Sequence, residues 1–104
     1  PGDVWSPETM LVGAVANCFI LSFRAIARKA KLDWISLTCE TEGKLDKVEK
    51  LTQFTEFKVT ATLTIPADGN EKKAHTILEK AEKYCLITNS MKANSHLEAR
   101  VEFL

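Results

Sequence analysis

Residues 7–30, PETMLVGAVANCFILSFRAIARKA, constrain this chain more than any other stretch. Ser6 is a favourable N-cap, Pro7 suits the first helical position, and Glu8 sets a carboxylate where it complements the helix dipole. Arg28, Lys29 and Lys31 supply the positive charge expected at the other end. A helix from Pro7 to about Ala30 follows. Its first half is apolar nearly all round: Leu11, Val15, Cys18 and Ser22 form one stripe, and Val12, Phe19, Ile20 and Phe23 cover other sides. Such an element has to be buried on several faces. It is about 36 Å long at the usual rise, whereas a compact domain of about 100 residues has a radius of gyration of only about 13 Å. A two-layer monomer covers one side of such a helix, so the remaining cover is expected from a second copy in an intimate homodimer.

The rest of the chain alternates strand and helix. From Trp34 to Glu42 the pattern has period two, with Ile35, Leu37 and Cys39 on one face. GKLDKVEKLTQ is polar and charged and reads as a loop. Phe57, Val59, Ala61, Leu63 and Ile65 alternate with polar residues until Pro66 stops the run, which gives the clearest strand. ADGN supplies a turn. An amphipathic helix fits Glu71 to Cys85, with Ala74, Ile77, Leu78, Ala81 and Cys85 inward. A last strand runs from Leu97 to Phe103. No glycine-rich nucleotide loop is present. The class is α+β: a single domain over residues 1–104 with helices on one side of a largely antiparallel sheet.

Lysine plus arginine balance aspartate plus glutamate at 14 each, so no bulk field draws the chain to nucleic acid or anionic lipid. The longest apolar run, Leu11 to Phe23, is broken by Asn17 and Ser22 and reads as too short to span a bilayer. With no signal peptide visible, the expected location is intracellular, in the cytoplasm. Three cysteines do not make an extracellular disulfide framework, and in a reducing compartment paired thiols are more often catalytic.

Cys39 shares a strand face with Ile35 and Leu37 and reads as a core residue. Cys18 and Cys85 both fall on inward helix stripes, and on pattern alone two readings stand level: two small core hydrophobes, or a redox pair brought together by facing helices. Polar neighbours, Glu8 and Asn17 before the first and Thr88, Asn89 and Ser90 after the second, make the surroundings unlike a plain core. His75 and His96 have no ligand spacing, so neither a metal nor any cofactor is expected. Trp5 and Trp34 flank the long helix and are expected to pack at its ends.

SPETMLVGAVANCF resembles the helix opening of the OsmC/Ohr peroxidases, in which a cysteine follows a glutamate after ten residues, as Cys18 follows Glu8. EKAEKYCLITNSM is similar to that family's second cysteine segment, and KLDKVEKLTQFTEFKVTATLTIP to the strand pair between. The resemblance implies an OsmC-like fold with a long buried central helix, an intertwined homodimer, and a thiol peroxidase for organic hydroperoxides and hydrogen peroxide. It matches Cys18 to the peroxidatic thiol, Cys85 to the resolving thiol and Glu8 to the active-site carboxylate, with a dithiol reductant as partner. Cys18 lies too far along its helix to use that helix's own N-terminus, so a cation is expected to hold the thiolate. The family supplies an arginine from an N-terminal strand region that this chain is expected to lack. Arg24, Arg28 and Arg100 do not match that position, and Leu86 stands where many members carry proline. Met10, Leu11, Phe19 and Met91 are the expected lining of an apolar pocket. Two rival classes are a Cys/His hydrolase, which needs a histidine at Cys18, and a non-catalytic dimeric module that binds an apolar ligand.

Overall fold

The computed structural model describes residues 6–104. The expectation for Trp5 lies outside the described residues. The chain forms α1 (Pro7–Ala30), β1 (Ser36–Val48), β2 (Leu51–Ile65), α2 (Glu71–Lys83), α3 (Leu86–Asn89) and β3 (Asn94–Phe103). The end signals of α1 act as read: the Ser6 hydroxyl accepts from the Thr9 N–H at 3.1 Å, and Lys31 closes the helix in the left-handed conformation.

The sheet has the order β1-β2-β3, with β1 and β2 antiparallel. The expectation of a largely antiparallel sheet needs correction, because β3 runs parallel to β2, from Glu56↔Asn94 to Ile65↔Phe103. The reason is the connection: α2 and α3 return the chain to the start of β2 before β3 begins, as a parallel pairing requires. Central β2 sends Phe57, Val59, Ala61, Leu63 and Ile65 into the core, each almost wholly removed from water. Val15, Phe19, Phe23 and Ala27 of α1 and Ala74, Ile77, Leu78 and Ala81 of α2 cover that face. Phe23 also meets Trp34 edge-on, with ring centres 5.3 Å apart, so Trp34 packs against the long helix as expected. Truncating a buried aromatic such as Phe23 to alanine costs about 3–5 kcal/mol.

The segment read as a loop is instead the far end of a long hairpin. β1 and β2 continue to Val48↔Leu51, joined by Glu49 and Lys50, whose φ values are 50° and 70°. A two-residue turn that matches the strand twist needs positive φ at both positions, which asparagine and glycine adopt readily. Glu and Lys carry no such signal, and their left-handed backbone is strained. The register shifts at Lys44/Leu45, leaving Thr55 as an extra residue whose hydroxyl donates to Asp46 Oδ2 at 2.9 Å. At Gly43 an added Cβ would lie 2.7 Å from the Phe54 ring and 3.0 Å from Val12, so glycine lets α1 cross this strand closely. The hairpin's reach explains a radius of gyration of 15.2 Å and extents of 52 × 31 × 19 Å.

By length and composition alone, α1 is long and apolar enough to cross a membrane, which corrects the reading of its apolar run as too short. Within the fold, one stripe of α1 is fully enclosed by the sheet and α2. The opposite stripe, Met10, Gly13, Ala14, Asn17 and Leu21, faces outward, with Met10 and Leu21 more than half exposed.

Candidate functional site

Cys18 is half-buried in the middle of α1. The second cysteine is not where the helical pattern puts it. Helix α2 stops at Lys83, and Cys85 has an extended backbone (φ −67°, ψ 112°) as the residue that leads into α3. Local hydrogen bonds fix this bend. Asn89 Nδ2 donates to the Lys83 carbonyl at 2.9 Å, the Asn89 N–H donates to the Cys85 carbonyl at 3.0 Å, and the buried Thr88 hydroxyl donates to the same carbonyl at 3.2 Å. The polar run after Cys85 thus shapes the backbone of the bend.

The bend carries Cys85 against α1, where its thiol and that of Cys18 are close enough to influence each other's charge. The two thiols differ in charge preference. Removal from water pushes Cys18 up, but hydrogen bonds from the Ile87 backbone, the Cys85 thiol, the Leu86 backbone and the Ser22 hydroxyl outweigh it and hold its pKa below the ordinary thiol value. Burial pushes Cys85 up, the backbone and hydroxyl of Thr88 offset part of that, and its role as donor to Cys18 adds to the rise. Of the two thiols, Cys18 is therefore the one more readily deprotonated and Cys85 the one that more readily keeps its proton.

Among the residues singled out from sequence, Cys18 and Cys85 come together. Glu8 is exposed in the first turn of α1, ten residues from Cys18 and so about 15 Å away along the axis. Cys39 lies elsewhere, on β1 with Leu37 against the core, and burial raises its pKa. His75 and His96 border a groove between α2 and β3 that neither thiol lines, and each faces a carboxylate, Glu71 at 3.8 Å and Glu56 at 3.9 Å. Of the expected pocket residues, Phe19 is enclosed in the core, and Leu11 and Met91 pack against it. Met10 lines a shallow apolar depression with Gly13, Ala14 and Asn17, on the same helix as Cys18.

Sequence reasoning missed Ser22 and the two backbone donors. Ser22 had a signal, since four residues on a helix return to the same face. The amides of Leu86 and Ile87 have none, because every residue but proline carries one.

Residues 1–100 match the family model described as OsmC-like protein. An uncharacterized Bacillus subtilis protein, YmaD, is 26% identical over 101 residues, which cover 94% of this chain and 67% of the relative. The structure of an OsmC-like protein of unknown function from Vibrio cholerae superposes with a TM-score of 0.80 at 25% identity, covering 89% of this chain and 62% of that one. This chain therefore spans less than two thirds of the Vibrio protein's length. An organic hydroperoxide resistance protein from Legionella pneumophila has a TM-score of 0.76 at 22% identity, covering 97% of this chain and 72% of its own, and shares the fold. With the helix-on-mixed-sheet architecture and a family match that spans nearly every residue, the chain belongs to the OsmC-like protein family.

Proposed function

We propose that this chain is a cysteine-based peroxidase that reduces organic hydroperoxides, with Cys18 as the peroxidatic thiol and Cys85 as the resolving thiol. The observation that carries this reading is the contact between the two side chains, with Cys18 biased toward the thiolate. The Cys18 thiolate attacks the terminal oxygen of the hydroperoxide. An S–O bond forms, the O–O bond breaks, and the alkoxide leaves and takes a proton to become the alcohol. Cys18 is then a sulfenic acid, oxidised by two electrons. Cys85 attacks that sulfur, a disulfide forms, and hydroxide leaves with the Cys85 proton as water. A dithiol reductant restores both thiols by exchange.

The apolar depression at Met10, Gly13, Ala14 and Asn17, on the helix that carries Cys18, suits an alkyl hydroperoxide better than hydrogen peroxide. The outward stripe of α1 supports a homodimer in which a second copy covers Met10 and Leu21. Glu8 joins the site, on this reading, from that second copy, since within one copy it is nearly three helical turns away. Free cysteines and thiol-based recycling fit the cytoplasm.

The test is consumption of cumene hydroperoxide by the reduced protein with a dithiol reductant. Turnover that disappears in Cys18→Ser supports the proposal, and turnover that survives this change refutes it.

A further inference from the structure

We propose that Thr88 and Asn89 are positioning residues, which clasp the bend at Cys85 and hold its thiol where it can close a disulfide onto Cys18. The inference deepens the peroxidase reading and rests on it for its catalytic meaning. The clasp answers a geometric problem. A disulfide needs its two Cβ atoms about 3.8 Å apart, yet Cys85 lies in neither α2 nor α3 but on the connection between them, with extended backbone. The α3 turn that follows, Leu86–Asn89, is too short to hold itself together as an isolated helix.

Three observations converge. First, Asn89 grips both ends of the connection. Its side-chain N–H donates to the carbonyl of Lys83, the last residue of α2, at 2.9 Å, and its backbone N–H donates to the Cys85 carbonyl at 3.0 Å. Second, the Cys85 carbonyl accepts again, from the Thr88 hydroxyl at 3.2 Å, and Thr88 is buried, so water competes little for that donor. Third, the clasped turn is seated on α1. Helix α3 contacts α1, Ile87 packs against the core, and Cys85 is only 2% exposed. The carbonyl of Cys85 is thus held twice and its side chain is enclosed on the side of α1, a placement with which the influence of each thiol on the other's charge agrees.

In the closing step the Cys85 sulfur attacks the Cys18 sulfenic acid, an S–S bond forms, the S–O bond breaks and water leaves. A bend that wanders reaches this geometry less often, and closure falls with the fraction of molecules whose bend is in place.

The same closure can be measured without hydroperoxide. The reduced full chain is equilibrated with reduced and oxidised glutathione: one thiolate takes a glutathione by exchange, the other cysteine displaces it, and two reduced glutathiones are released for each disulfide consumed. Acid quenching, alkylation and mass spectrometry of the peptides give the fraction with Cys18 linked to Cys85, and so the equilibrium constant. Thr88→Val keeps the shape and deletes the donor, whereas Thr88→Ser keeps the donor. Losing one hydrogen bond shifts the balance between the held and the wandering bend about fivefold, so the constant should fall about threefold in Thr88→Val and about tenfold in Thr88→Val combined with Asn89→Ala. Thr88→Ser should stay near wild type. Ser90→Ala should too, because the Ser90 hydroxyl bonds the Leu86 carbonyl, at 2.8 Å, and does not reach the connection. A bond that merely stabilises the fold lowers the urea stability of the reduced and disulfide forms alike and leaves the constant where it was. Equal constants in wild type, Thr88→Val and the double variant therefore overturn the proposal, as does a wild-type chain that forms no Cys18–Cys85 disulfide. If Thr88→Val disturbs the fold, Asn89→Ala, at an exposed position, decides alone: a constant lowered about twofold supports the proposal, and the wild-type value rejects it. Exchange with glutathione consumes no hydroperoxide, so this result is separate from the turnover of Cys18→Ser that decides the peroxidase reading.

Discussion

Cys18 lies on α1 against the bend after Cys85, Cys39 lies on β1 among the strands, and removal from water pushes both thiols toward the neutral form. They end on opposite sides of the ordinary value. At Cys39 burial dominates: the Thr41 hydroxyl nearby offsets part of it, and the Glu40 charge works against it. Strand N–H groups lie in the plane of the sheet and bond toward neighbouring strands, whereas a side chain stands off that plane. Cys39, opposite Ala61, is therefore beside many amides and served by none of those that lower its pKa. Cys18 instead has the segment after Cys85 and the Ser22 hydroxyl as neighbours, and these lower its pKa. Cys39 is the more deeply buried of the two and has the poorer set of donors, and both differences push the thiols apart.

The largest expected contrast is in turnover. Cys18→Ser should reduce cumene hydroperoxide consumption to background, and Cys39→Ser should retain most of it; equal losses in the two variants would erase the distinction. Next in size is the fate of the oxidised sulfur. In Cys85→Ser the sulfenic acid has no neighbour to condense with, so intact mass should show Cys18 advancing to sulfinic acid under repeated hydroperoxide, while the wild-type chain stops at the disulfide.

A smaller effect lies in stability against pH. Cys18 has a lowered pKa in the fold, so its contribution is present above the unfolded thiol's value, near 9.0, and is lost as pH falls through the folded value. Cys39 has a raised pKa, so its contribution is full below the unfolded value and is lost as pH rises through the folded one. Urea unfolding should accordingly show Cys18→Ala becoming more costly relative to wild type as pH rises from about 7 to 10, and Cys39→Ala becoming less costly. Parallel curves would sink the contrast. The smallest effect is at Thr41. Replacing its unpartnered hydroxyl by the isosteric Thr41→Val should change stability by no more than about 1 kcal/mol, with a gain as the expected sign. A loss of several kcal/mol would mean that this hydroxyl has a structural partner.

Much of the architecture was legible in the residues themselves. Ser6, Pro7 and the basic run at Arg28 bound α1 because capping and dipole effects act within one turn. The alternation from Phe57 to Ile65 identified the central strand because burial on one face imposes period two. Where local chemistry was silent, the reading failed. Glu49 and Lys50 do not announce a tight turn, and the direction of β3 depends on where the chain returns, which no residue within β3 encodes.

The site divides in the same way. Sequence by itself supplied the two thiols and their spacing to Glu8, because side-chain identity is written at each position. Tertiary structure alone decided that α2 ends before Cys85 and that the bend brings this thiol and the segment after it to Cys18. Only the path of the folded chain determines which distant residues meet.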